Sequence, residues 1–235
     1  MTQLQKYLRP AVAGIKANLL PGFVLQVFAV AVLVGYFRVE SVHRALTTVG
    51  VLKVRYGYLY GALSTALFGG FIPFLVLYLG GKIPRDRRGK DLTFYLVFWL
   101  WKGVEVDALY RGQSFLFGVE PNLTNIAAKT AVDQLGYTLF WSAPTQTWFF
   151  LWKDSDYSLS LVRQRLQIQP FLQRATVVVL SNWVVWVPAV AIVYSLPAPL
   201  QLPISNLILC FWCLLLSYVS RDSLNELASA PSSTN

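Results

Sequence analysis

The sequence is short of the side chains that most chemistry uses: 235 residues include one histidine and two cysteines, and only 13% are charged. The lone His43 stands beside Glu40 and Arg44 with no second His and no Cys at ligand spacing, which excludes the common zinc patterns. Cys210 and Cys213 form a Cys-x-x-Cys inside an apolar run rather than at a helix start after a strand. A thiolate would find nothing there to stabilise it, so the two read as small apolar packing residues. There is no glycine-rich phosphate loop and no Gly-x-Ser-x-Gly elbow. No cofactor and no enzymatic activity are expected. A lipid-directed enzyme would have to use Glu105, Asp107 and Arg111 at headgroup level, and no nucleophile and base accompany them.

A soluble domain carries about a quarter charged residues. Here hydrophobic residues make up 55%, and the mean hydropathy is +0.50. The apolar residues lie in separate long runs, as they must when each run crosses hydrocarbon about 30 Å thick. Residues 18–37, 56–81, 127–152, 175–194 and 203–219 fit this requirement, and Tyr56, Tyr58 and Tyr60 open the second run as an interfacial belt. A sixth run, 92–110, contains Lys102, Glu105 and Asp107, whose insertion is costly unless they face other helices; it reads as an amphipathic or partly inserted helix. A β-barrel would show segments of about ten residues with alternating polarity, and these runs do not alternate. The expected fold is all-α: a polytopic transmembrane helical bundle with five membrane helices and one amphipathic helix, in one membrane domain over 1–220. The first run is long for a signal peptide and is expected to remain as a helix. The polar tail 221–235 is expected to be unstructured.

The net charge of +9 does not point to nucleic acid, because the basic residues flank the apolar runs instead of forming one face. Lys82, Arg85, Arg87, Arg88 and Lys90 are the densest group, as expected of a loop on the cytoplasmic side or beside anionic lipid. The sequon Asn122-Leu123-Thr124 matters only if its loop reaches a secretory lumen. The lipid bilayer is the expected partner, with a second copy or another membrane protein as further candidates.

Small residues at four-residue spacing, Gly57, Gly61, Thr65 and Gly69, mark a face where another helix can approach closely, within the bundle or from a second copy. Pro73, Pro144 and Pro188 lie inside runs and are expected to kink them. Polar groups inside apolar runs must be paired or wetted. Lys129 and Asp133 stand four apart and can pair, with Gln134 beside them; this is the leading site candidate, its plainer reading being an ion pair at a helix entrance. Asn182 and Asn206 are expected to bond to neighbouring helices.

Ordered matches in the C-terminal half then accumulate: Lys129, Asp133 and Gln134 as a Lys-x-x-x-Asp-Gln opening, Asn182, Trp183 and Trp186 as Asn-Trp-x-x-Trp, Leu196 with Pro197, and a closing Asn206, Trp212, Ser217 and Tyr218. The pattern resembles the Mpv-seventeen and 22-kDa peroxisomal membrane protein family over roughly 129–220, as a divergent relative. Trp186-Val187-Pro188 stands where that family has Trp-Pro, Gln201 stands where it has an arginine, and 85–120 looks like an insertion. The resemblance implies a small helical bundle in a mitochondrial, peroxisomal, plastid or bacterial inner membrane, with some members regarded as weakly selective channels. Two functions follow as expectations. One is a channel for small solutes with Lys129, Asp133 and Gln134 at its mouth and Asn182 and Asn206 deeper. The alternative is a non-transporting scaffold or assembly factor that holds partner membrane proteins along Gly57 to Gly69.

Overall fold

The structure, a computed structural model, describes the backbone of residues 3–165 and 168–229, with side chains for Lys16, 18–164 and 179–214 apart from Ser181. All regular structure among the described residues is helical. In chain order the helices are α1 (Gln3–Arg38), α2 (Glu40–Thr65), a π-helical stretch (Ala66–Phe71), α3 (Ile72–Leu79) and a 3-10 turn (Arg85–Arg87). There follow α4 (Arg88–Phe117), α5 (Leu123–Ala131), a second π-helical stretch (Val132–Ser142), α6 (Ala143–Asp154), α7 (Leu159–Arg165), α8 (Ile168–Tyr194) and α9 (Ala198–Ser229). Among the described residues, two helical segments are long and apolar enough to cross a membrane, Asn18–Arg38 and Glu40–Leu79. The expected runs 127–152, 175–194 and 203–219 are helical as well, within α5 to α6, α8 and α9. Helix α9 runs to Ser229, so residues 221–229 are helical where an unstructured tail is expected; 230–235 lie outside the described residues.

Helix α4 contains 92–110, the run read as an amphipathic or partly inserted helix. It packs on α2, the first π-helical stretch, α3, α5 and α9, and it buries Phe94, Phe98, Lys102, Asp107, Tyr110 and Gln113. Lys102, Glu105 and Asp107 face other helices, the one arrangement that makes them tolerable in an apolar run.

The small-residue face of α2 is filled from within. Gly61 meets Gly103 of α4 so closely that a Cβ built on Gly103 would stand 2.3 Å from the Gly61 carbonyl oxygen. A Cβ on Gly69 would stand 2.8 Å from the Trp99 ring and from Leu209. Gly57 is not part of this seam: with φ +53° and ψ −127° it breaks α2, a backbone that glycine alone adopts readily, and the four-residue spacing does not continue through it.

The prolines act differently from the kinks expected of them. Pro73 and Pro144 each begin an α-helix directly after a π-helical stretch, and the last turns of those stretches carry i→i+5 bonds, Ile72 N–H to Leu67 and Ala143 N–H to Thr138. Proline has no N–H and its ring crowds the carbonyl four residues back, so widening the preceding turn relieves both. Pro188 lies inside an uninterrupted α8.

The main core joins α1, α4, α8 and α9 through Leu25, Ala29, Tyr110, Val185, Val193, Tyr194, Leu196 and Ile208. A second, aromatic cluster holds α4 to α6 through Phe94, Phe98, Phe149 and Phe150. The loop after α6 is clasped to the start of α4, where the Tyr157 hydroxyl donates to Asp91 at 2.6 Å and Arg87 donates to the Lys153 carbonyl at 2.7 Å. Burial and the Asp91 carboxylate push ionisation of the Tyr157 hydroxyl well above the usual tyrosine range. That clasp holds Asp156 and Tyr157 at positive φ, 51° and 60°. Asn122 caps α5, its side chain accepting from the Asn125 N–H at 2.8 Å.

Gly103→Ala forces the α2 and α4 backbones apart and is expected to lower the unfolding free energy of the purified protein by about 1–3 kcal/mol. Gly112→Ala on the same helix meets nothing within 4 Å and is expected to be neutral or slightly stabilising in the same unfolding titration.

Candidate functional site

Four of the five polar residues expected to matter, Asp133, Gln134, Asn182 and Asn206, line one cavity of about 410 Å³ between α4, α8, α9 and the two π-helical stretches. Lys102 of α4 joins them. Aromatic side chains form much of the remaining wall, among them Phe98, Trp99, Tyr137, Trp186 and Trp212.

Asp133 lies in the second π-helical stretch. Its Oδ1 accepts from Gln134 Nε2 at 2.8 Å and, at 3.5 Å, from Thr138 Oγ1, five residues on and brought into line by the i→i+5 bonding. Its Oδ2 accepts from the Tyr194 hydroxyl of α8 at 2.7 Å, and that hydroxyl in turn accepts from Gln113 Nε2 of α4 at 2.9 Å. The expected Lys129–Asp133 ion pair is absent, because donors from three other side chains occupy the carboxylate. The Lys129 ammonium lies 6.0 Å from the centre of the Tyr194 ring, so cation and carboxylate act on the same tyrosine from different sides. Lys129, Asp133 and Gln134 are 2%, 5% and 4% exposed, which corrects the picture of a half-wetted cluster at a helix entrance.

Lys102 is committed elsewhere. Its ammonium donates to Glu105 Oε1 at 2.8 Å and to Thr145 Oγ1 at 3.1 Å, and the Tyr137 hydroxyl donates to the same Glu105 oxygen. Lys102 thus brings its counter-charge from three residues along its own helix, and the pair adds no net charge to the wall. Asn206 ties α9 to α2, with Oδ1 accepting from Thr65 at 3.0 Å and Nδ2 donating to Ser64 at 2.9 Å. Asn182 is half-buried and makes no hydrogen bond among the described residues; Gln146 of α6, also on the wall, is in the same condition.

A separate ion cluster lies outside the cavity wall. Lys53 of α2 donates to both oxygens of Asp107 at 2.8 Å, and Arg111 Nε donates to Asp107 Oδ1 at 3.1 Å. Lys53 and Asp107 are buried, while Arg111 reaches out over the Tyr58 ring at 4.7 Å.

Of the family-motif residues, Trp186 and Trp212 line the cavity and Pro197 sits in the turn between α8 and α9, its carbonyl accepting from Leu200 N–H at 2.8 Å. Trp183 lies on α8 with its buried Nε1 lacking a partner among the described residues, and the Ser217 side chain lies outside them. Sequence reasoning named Lys102 only as a charge that must face other helices, and it passed over Lys53, Gln113, Gln146 and Tyr194. The spacings Lys102 to Glu105 and Asp107 to Arg111 on one helical face were a usable signal for the pairs within α4. Tyr194 and Lys53 had none, since their partners lie 61 and 54 residues away.

No protein-family model, curated protein or solved structure matches the chain. The likeness to the Mpv-seventeen family therefore rests on the motif residues alone.

Breaking a buried ion pair from one side leaves an uncompensated charge and costs about 3–5 kcal/mol, whereas removing both partners costs far less. Asp107→Asn is expected to show the full loss in equilibrium unfolding, and Asp107→Asn with Lys53→Met a clearly smaller one. Additive losses would mean that the two side chains are not energetically coupled.

Proposed function

We propose that the chain is a polytopic membrane protein whose helices enclose a permeation path for small solutes. The observation that carries this reading is the 410 Å³ cavity on which Asp133, Gln134, Asn182, Asn206 and Lys102 converge, inside a bundle whose outward faces are apolar. Leu20, Phe23 and Val27 on α1 and Leu59 and Leu63 on α2 are more than half exposed, a surface suited to hydrocarbon and costly in water. In this reading α1, α2 with α3, α5 with α6, α8 and α9 are the five crossings. Helix α4, about 45 Å long at 1.5 Å per residue over its 30 residues, crosses as a sixth with its charges turned inward. A mainly apolar, aromatic-lined cavity with a few converging polar groups at the meeting point of several helices is a common form for a solute site. The scaffold alternative has less to stand on, because the Gly61 to Gly69 face it would offer to partners is occupied by Gly103, Trp99 and Leu209. The resemblance to a family with channel members agrees with the permeation reading, and an organellar or bacterial inner membrane remains the location it implies.

The test is flux of small solutes through purified protein in liposomes, with incorporation verified. Wild type is expected to exceed empty liposomes, and Thr138→Trp, which fills the cavity from the wall, to lower the flux about tenfold while Gly112→Ala leaves it unchanged. Wild-type flux no greater than that of empty liposomes would end the permeation reading and return attention to a scaffold.

A further inference from the structure

The polar groups of the cavity divide into those already engaged and those left free, and the division follows charge. Both charged side chains on its wall are engaged: Lys102 with Glu105 and Thr145, and Asp133 with Tyr194, Gln134 and Thr138. Lys102 is neutralised by Glu105, whereas the donors to Asp133 are all uncharged and leave its carboxylate charge in place, so an anion entering the cavity would be repelled and would find no free cation among the described residues of the wall. An isolated charge left in an apolar interior costs several kcal/mol. The polar groups on the wall with no hydrogen bond among the described residues are uncharged: the half-buried amides of Asn182 and Gln146, the hydroxyl of Tyr95, and the buried Gln134 Oε1 and Trp99 Nε1. The amides of Asn182 and Gln146 each offer both a donor and an acceptor, and aromatic rings line the same cavity.

We propose that the cavity binds an uncharged, flat molecule bearing both a hydrogen-bond donor and an acceptor, of the primary carboxamide type, and discriminates against anions of the same shape. Asn182 and Gln146 pair with the amide edge, and the rings of Phe98, Trp99 and Trp186 cover its faces. This rests on the reading of the cavity as the solute path, but it concerns binding and can be tested without flux. A site that hydrogen-bonds its ligand rejects analogues that leave its groups unpaired or that bring in an unpaired charge.

Benzamide and benzoate are nearly isosteric and differ in charge, so their affinities for the detergent-purified full chain can be compared by calorimetry. Benzamide is expected to bind at least tenfold more tightly than benzoate. Asn182→Leu and Gln146→Leu are each expected to weaken it about tenfold. The proposal is overturned if benzoate binds as tightly as benzamide, if neither binds the folded wild type, or if the leucine variants retain full benzamide affinity. Benzamide selectivity in a protein that passes no solute would end the permeation reading and leave the binding site standing. Flux without that selectivity would do the reverse.

Discussion

The approach of α2 to α4 at Gly61 and Gly103 is the contact from which the other features follow. A Cβ on Gly103 would displace the Gly61 carbonyl, 2.3 Å away, and one on Gly61 would sit tightly at 3.1 Å from the Gly103 carbonyl oxygen. The closeness brings Lys53 of α2 onto Asp107 of α4, and it leaves Ser64 and Thr65 of α2 free to hold Asn206 of α9. Packing at this distance relies on dispersion between backbones rather than on large side chains, a mode of association that works where apolar burial alone does not discriminate between helices.

With that crossing in place, α4 becomes the helix around which charge is organised. It contributes Lys102, Glu105, Asp107, Arg111 and Gln113, and each meets a partner on α4 itself or on a neighbouring element. Every one of these bonds takes a polar group that would be costly to bury and gives it a partner in a setting of low dielectric, where the interaction is also stronger. On the cavity wall the half-buried amides of Asn182 and Gln146 and the hydroxyl of Tyr95 make no hydrogen bond among the described residues.

The π-helical stretches belong to the same construction. Widening the turn before Pro73 and Pro144 accommodates the missing N–H groups and changes which residues align along the chain. Thr138 reaches Asp133 through a five-residue step, and both lie on the cavity wall with Tyr137. A regular α-helix through 132–142 would have left the carboxylate with a different set of neighbours.

Composition and periodicity determined what depends on solvent and on local chain geometry. They specified helices throughout, the positions of the long apolar runs, and the expectation that Asp133, Gln134, Asn182 and Asn206 would be polar groups inside a bundle. These follow from sequence because burying an unpaired backbone or side-chain polar group is costly wherever it occurs. Tertiary structure alone decided which groups pair. Lys129 stands four residues from Asp133 and by spacing should hold it, yet Tyr194, 61 residues away, is closer in space and takes one oxygen of the carboxylate. Helix α4 reads as amphipathic by its own charges and becomes central only because α2, α5 and α9 surround it with partners. Gly57 looks like one more small residue on a smooth face until its backbone is seen to turn to positive φ. Spacing within a helix fixes what can be neighbours along one face, and the choice among partners on different helices is made by how closely those helices pack.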